Sequence, residues 1–272
     1  MNTVIKSYDK MIENMMNKSA NENKYALDSE LITKIPFTNS YTNSISVAVG
    51  KQRSGKTRKI IKEMIKISKL HKPTHLVIYV NKTVNKTDKT FESFKGLIKV
   101  PILYVRQDDI EEVLMDLIKW KNVYNTIKKE KMETKVEPEQ QEEIFEHLHI
   151  KNFKRPFLHT LVLLDDIANS PMLKKPTSQL NSLMTQCAHI NCSFFLAVQY
   201  WIGLPAAIKS QVSVIYLFGG FSRQQLQYML QQITLSDPFS VIFEQYKALQ
   251  FQDFLIVDTV EGEYEVNYAI NA

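Results

Sequence analysis

The chain of 272 residues is short of several things, and each shortage removes a class of function. It holds only two cysteines, Cys187 and Cys192. With no His or Cys neighbours at ligand spacing, they argue against a zinc site and fit buried thiols in a reducing compartment. No apolar run approaches the roughly 18 residues of a membrane span, so no membrane association is expected. The first thirty residues have no long apolar core and are not expected to form a secretory signal. Basic runs lack interleaved aromatics, which disfavours single-strand stacking. Seven glycines amid abundant Lys, Asn and Ile point to an AT-rich coding genome, a remark on origin alone.

What remains is ordinary for a globular protein: 44% hydrophobic and 23% charged residues, with a net charge of +5. That mildly basic balance permits a nucleic-acid partner without requiring one. The length suits one large domain with appendages. Residues 1–43 read as an N-terminal extension, its first thirty a loose or weakly amphipathic leader. Residues 44–272 read as the main domain, with a charged insertion at about 130–157, part helical and mobile.

Apolar runs predict strands at Ser44–Val49, His75–Val80, PILYVRQ (101–107), HTLVLLDD (159–166), SFFLAVQ (193–199) and QVSVIYLFG (211–219). Helical spacing follows Thr57 and recurs over 109–130, 177–189 and 222–233. Asp108 and Glu111 have the capping-box spacing, and Ser222 is placed to cap the last helix. The final strands read as a β-hairpin around Glu261 and Gly262. Strands alternating with helices imply an α/β fold with a mostly parallel sheet covered on both faces.

The first chemical motif is GKQRSGKT, residues Gly50, Lys51, Gln52, Arg53, Ser54, Gly55, Lys56 and Thr57, with Arg58 next. It matches the P-loop pattern G-x-x-x-x-G-K-S/T at every fixed position and lies between a strand and an amphipathic helix. The glycines let backbone N–H groups wrap phosphate, and the helix N-terminus favours negative charge. Lys56 would reach the β and γ phosphates of ATP, and Thr57 would ligate Mg²⁺. The second motif is LVLLDDIANS (161–170), an apolar strand ending in two acids. Asp165 would hold Mg²⁺, and Asp166 would act on the attacking water, as a base or by orienting it. Gln199 ends the next strand, at the edge where α/β sheets bind ligands, and is a candidate contact for γ-phosphate. Asn85-Lys86-Thr87-Asp88 spells a guanine-reading N-K-x-D. It precedes the acidic strand instead of following it, so coincidence accounts for it better.

These motifs together resemble the FtsK/HerA superfamily of DNA pumps, RecA-like P-loop ATPases. Phe194 to Leu230 is the most telling stretch: a Gln-ended strand, an LP-type loop, Lys209 and Gln211, a strand, then a Ser-Arg-capped helix. The short form is similar to the poxvirus-type genome-packaging ATPases of large eukaryotic DNA viruses and virophages. The likeness covers about Ser44 to Tyr268, loosely over 81–157. It implies an ATP-driven, Mg²⁺-dependent translocase of double-stranded DNA, assembled as a hexameric ring, with a capsid or portal-like vertex partner. It implies a place in the virus factory of the host cell or in the virion. It assigns Lys56 and Thr57 to phosphate and Mg²⁺, Asp165 to Mg²⁺, Asp166 to water and Gln199 to γ-phosphate sensing. Relatives often carry Arg in the LP-loop where this chain has Lys209, a point charge without the planar fork of Arg. Arg223 is then the better candidate for a cation supplied to a neighbouring subunit, with Lys209 in reserve. Lys128, Lys129, Lys131, Lys151, Lys154, Arg155, Lys174 and Lys175 are candidate DNA contacts or a solvated basic face. A related DNA motor outside packaging, or a P-loop kinase or switch, are the competing readings.

Overall fold

The computed structural model describes residues 32–81, 92, 95–167, 173, 175 and 178–268. The leader, the NKTD segment and Lys174 lie outside them. Strands and helices alternate as β1 (Ile45–Val49), α1 (Lys56–Leu70), β2 (Thr74–Asn81), β3 (Ile102–Arg106), α2 (Ile110–Lys129), α3 (Pro138–His147) and β4 (His159–Asp165). There follow α4 (Gln179–Thr185), β5 (Cys192–Val198), α5 (Ala206–Lys209), β6 (Val212–Phe218), α6 (Arg223–Leu230), α7 (Phe239–Lys247), β7 (Phe254–Asp258) and β8 (Glu263–Asn267).

One eight-stranded sheet has the order β3-β2-β4-β5-β1-β6-β7-β8. Its first six strands are parallel, while β7 and β8 run antiparallel as the hairpin at the edge. Strands β1, β4, β5 and β6 are buried along their whole length, as their continuous apolar sequences require for a sheet covered on both faces. Alternation of side chains sends Val47, Ile78, Val162, Phe194 and Ile215 to one face, and Ala48, Val77, Leu163, Phe195 and Tyr216 to the other. The second face is covered by α1 through Ile60, Ile61, Met64 and Ile67. The first carries the helices from α2 onward. Among the described residues no helix is long and apolar enough to cross a membrane.

Three expectations change. Residues 32–43, assigned by sequence to an extension, pack onto the sheet. Tyr41 is buried and its hydroxyl donates to Asp258 at 2.7 Å, beside an ion pair from Lys34 to the same carboxylate at 3.0 Å. The stretch read as a part-helical, mobile insertion does hold a helix, α3, but it is docked: α3 buries Ile144 and is followed by buried Leu148. His147 stacks on Trp120 of α2 with ring centroids 4.4 Å apart, and Phe153 stacks on Tyr124 at 5.5 Å. A few apolar side chains spaced among many charges suffice to dock it. The Asp108–Glu111 cap does not form: Gln107–Asp109 make a 3-10 turn, α2 begins at Ile110, and Glu111 accepts instead from the backbone N–H of Leu180 in α4 at 2.9 Å. The Ser222 cap does form, as a reciprocal capping box with Gln225.

Candidate nucleotide site

The loop from Gly50 to Gly55 leaves the C-terminal end of β1 and enters α1. Gly50 is needed sterically: a Cβ there would stand 2.7 Å from Phe218 Cβ and 2.6 Å from Ser54 Oγ. Gly55 has φ +99°, a left-handed conformation that glycine adopts freely. It caps α1 with no side chain, and α1 has no acidic residue in its first turn. The free N–H groups and the macrodipole therefore face the loop unopposed, which suits an anion. Arg53 also has positive φ, 64°, and Lys51, Gln52, Arg53 and Arg58 are exposed around the loop. Lys56 is buried, and its ammonium donates to Lys51 O at 2.7 Å. Burial lowers its pKa, against the opposing pull of Asp165 and Asp166.

The sheet order decides what meets this loop. β5 lies between β1 and β4, so the residues ending β4 and β5 are brought beside the P-loop on one side. Thr57 Oγ1 donates to Asp165 Oδ1 at 2.9 Å, spanning the intervening strand. Gly50 N–H donates to Val198 O and Asp166 N–H to Ala197 O, which continues both ladders to the loops. Asp166 then turns into the left-handed region, with φ 54°, an uncommon conformation that Asp tolerates better than most residues. Its exposed carboxylate accepts from Gln199 Nε2 at 3.3 Å. The structure thus brings together Lys56, Thr57, Asp165, Asp166 and Gln199.

Sequence reading missed Tyr79 and Asn81 of β2. Tyr79 donates to Asp165 Oδ2 at 3.1 Å and accepts from Asn81 Nδ2 at 3.1 Å. The polar tip of an otherwise apolar strand adjoining the acidic one was the available signal. A hydroxyl and a carboxylate 2.9 Å apart are the hard oxygen donors that Mg²⁺ accepts, with phosphate and water completing its shell. Because Asp165 already accepts from Thr57 and Tyr79, it fits contact with Mg²⁺ through water.

The two cation candidates separate. Arg223 opens α6, five residues beyond the end of β6 and on the P-loop edge of the sheet. It is exposed, its guanidinium lying 5.4 Å and 5.9 Å from the ring centres of Phe243 and Phe239. Lys209 precedes β6, whose start pairs with Ile45 at the start of β1. It therefore sits at the opposite edge, about 20 Å away by the rise of a seven-residue strand. Its ammonium faces Tyr228 and Trp201 at 5.6 Å and 6.0 Å. Of the basic residues considered for DNA, Lys128 pairs with Glu133 at 2.8 Å, and Arg155 donates to the carbonyl of Thr74. Lys129, Lys131, Lys151, Lys154 and Lys175 are exposed.

No family model and no curated protein matches the chain by sequence. Solved structures match its fold. The DNA-packaging ATPase B204 from Sulfolobus turreted icosahedral virus aligns with a TM-score of 0.54 at 16% identity, over 83% of this chain and 97% of that one. The genome-packaging NTPase B204 from Sulfolobus turreted icosahedral virus 2, in complex with ATP-gammaS, aligns at 0.51 and 16% identity over 83% and 97%. EssC (ATPases 2 and 3) from Geobacillus thermodenitrificans aligns at 0.52 and 13% over 85% and 40%. The fold is that of a RecA-like P-loop NTPase, as the sequence motifs implied.

Proposed function

We propose that this chain hydrolyses ATP to move double-stranded DNA, and that the movement packages a viral genome into a preformed capsid. One observation carries the nucleotide part: Thr57 and Asp165 meet at 2.9 Å across β5, while Gln199 at the end of β5 holds Asp166. Three separated sequence segments converge on the place where a P-loop would present a γ-phosphate. In this reading the N–H groups of the loop beyond Gly50, up to Lys56, bind the phosphates, Lys56 neutralises their charge, and Thr57 with Asp165 holds Mg²⁺. The ion would supply further neutralisation of the charge that spreads over the phosphoryl oxygens. Asp166 orients the attacking water or accepts its proton, and Gln199 senses the γ-phosphate.

The DNA part draws support from the similar structures described as DNA-packaging and genome-packaging ATPases, and from a basic chain without base-reading motifs. Phosphate-tracking binding of that kind is sequence-independent and weakens steeply with salt. The assembly proposed is a ring, a hexamer, bound to a capsid or vertex protein and working in the virus factory or virion.

The test is ATP turnover by the full chain with and without long duplex DNA. Duplex of any sequence should stimulate turnover, less at higher salt, and Lys56→Ala should abolish it. Turnover indifferent to DNA would leave an ATPase and remove the motor. No turnover at all by the parental chain, with Mg²⁺ and DNA present, would remove both.

A further inference from the structure

The site fixes which way a nucleotide lies. The acids and Gln199 occupy the β4 and β5 side of the P-loop, so a γ-phosphate points there. The nucleoside must then leave on the other side, over β6 and β7. Because β7 is antiparallel, the chain entering it and the chain leaving β6 come together at that same edge.

What stands there is a turn beside two glycines. Gly219 and Gly220 follow β6 without side chains of their own, and the Lys51 side chain lies against Gly220, its Cε 3.3 Å from where a Cβ would stand. Leu249 Cβ and Gln250 O lie 3.5 Å and 3.9 Å from where a Gly219 Cβ would stand, so the Leu249–Asp253 turn rests on the glycines. Gln252 Cγ lies 4.0 Å from where a Gly55 Cβ would stand, which puts the same turn against the P-loop. Buried Asp253 pins it, accepting from Gln250 N–H at 2.8 Å and donating its own N–H back to Gln250 O at 3.1 Å. Tyr246 ties the glycine loop in place, donating to Phe218 O at 2.7 Å and accepting from Phe221 N–H at 3.0 Å.

Gln250, Phe251 and Gln252 of this turn are exposed. Phe251 is 73% exposed, and Gln252 is exposed on a backbone with φ 72°. A single exposed Phe is unremarkable. One held on a pinned turn, next to a glutamine in an unfavourable left-handed conformation and directly on the nucleoside side of a P-loop, is placed for a ligand. Resting on the nucleotide reading above, we propose that the Leu249–Asp253 turn is the base subsite: the Phe251 ring stacks on the nucleobase and the Gln252 amide reads its edge. Stacking favours any base, since each has a π-face. A glutamine amide can both accept from N6 and donate to N7 of adenine, whereas guanine offers two acceptors there, so Gln252 selects adenine.

Titration calorimetry of the full chain with Mg²⁺ plus ADP, GDP or inorganic tripolyphosphate tests this. Phe251→Ala should weaken ADP binding about ten-fold and leave tripolyphosphate binding unchanged. Gln252→Ala should shrink the preference for ADP over GDP. In Phe251→Trp, ADP should quench the indole emission and tripolyphosphate should not. Unchanged ADP affinity in Phe251→Ala overturns the subsite, including the case where only its oligomeric state changes, which makes Phe251 a subunit contact. A parental chain that binds neither ADP nor tripolyphosphate overturns the nucleotide reading itself.

Discussion

The amide of Gln199 donates to the carboxylate of Asp166 at 3.3 Å, joining the residue just beyond β5 to the residue just beyond β4. The bond exists because β5 is threaded between β1 and β4, so one side chain touches the acid and flanks the loop expected to hold phosphate. Asp166→Asn keeps an oxygen to accept from Gln199 but removes the charge. It should bind ATP as the parent does and hydrolyse it about 10²–10⁴-fold more slowly. Gln199→Ala should also spare binding and slow turnover about 10²-fold, through loss of one donor at the developing charge. Single-turnover rates beside ATP affinity separate the two effects. Parental rates in Asp166→Asn would remove Asp166 from the chemistry.

The Tyr79 hydroxyl is the outer support of the proposed Mg²⁺ site. Tyr79→Phe keeps the ring contact with Tyr104, at 5.9 Å and nearly perpendicular, and deletes the bond to Asp165 together with the one accepted from Asn81. Losing such a support costs metal sites about ten-fold or more in affinity. The Mg²⁺ concentration for half-maximal turnover should rise by about that factor, with the maximal rate at saturating Mg²⁺ little changed. An unchanged Mg²⁺ requirement would reduce Tyr79 to a packing residue.

The strands and the P-loop were legible because both write themselves locally. Six short apolar runs bounded by turn residues read as strands, four of them buried along their whole length, and Gly50, Gly55, Lys56 and Thr57 carry their chemistry in their spacing. What was not legible depends on neighbours distant in sequence. Nothing near Gln199 says that its strand separates the other two. Nothing in Thr74–Asn81 says that Tyr79 will face an acid 86 positions on. Glu111 has the right spacing to cap its own helix and serves α4 instead, because the 3-10 turn ahead of it moves the helix start. The charges of 130–157 concealed the few apolar residues that dock α3, and α7 was too short to show a period.

Acid should weaken the fold before it reaches the carboxylates. His75 and His159 are buried, and their pKa values lie well below 6.5. Burial is the main cause, followed by the charge of Lys121 for His75, and by His71 and Lys121 for His159. Between the depressed folded value and 6.5 the unfolded chain binds protons that the folded chain does not. Their contribution is therefore complete above pH 6.5 and is lost as pH falls, by up to about 1.4 kcal/mol per pH unit for each histidine. Asp258 acts lower. Burial pushes its carboxyl up, but bonds from Tyr41 and Lys34 outweigh that and hold it below 3.8, so its contribution is lost only under stronger acid. Urea midpoints should fall between pH 7.5 and 5.5, and less so in His159→Gln. A flat midpoint over that range would mean the histidines take up protons in the folded state.

In the proposed site Lys56 and Mg²⁺ would neutralise part of the charge that spreads in the γ-phosphoryl transition state, and a cation supplied by a neighbouring subunit can be worth about 10³–10⁵ in rate. Arg223 is better placed for this than Lys209, because it lies on the P-loop edge of the sheet while Lys209 lies beneath the opposite edge. Its guanidinium lies near the Phe239 and Phe243 rings on an exposed side chain, and it carries five N–H donors for a partner at that edge. Arg223→Ala protein should bind ATP normally and turn it over poorly. Mixing it with Lys56→Ala protein, which has a dead pocket and an intact Arg223, should restore turnover, since in mixed rings the Arg of one chain meets the working pocket of the other. Exchange of subunits is checked separately by energy transfer between labelled chains. Exchange without recovery would take Arg223 out of the role, and the same mixing with Lys209→Ala would then decide whether a subunit can present that residue from the far edge.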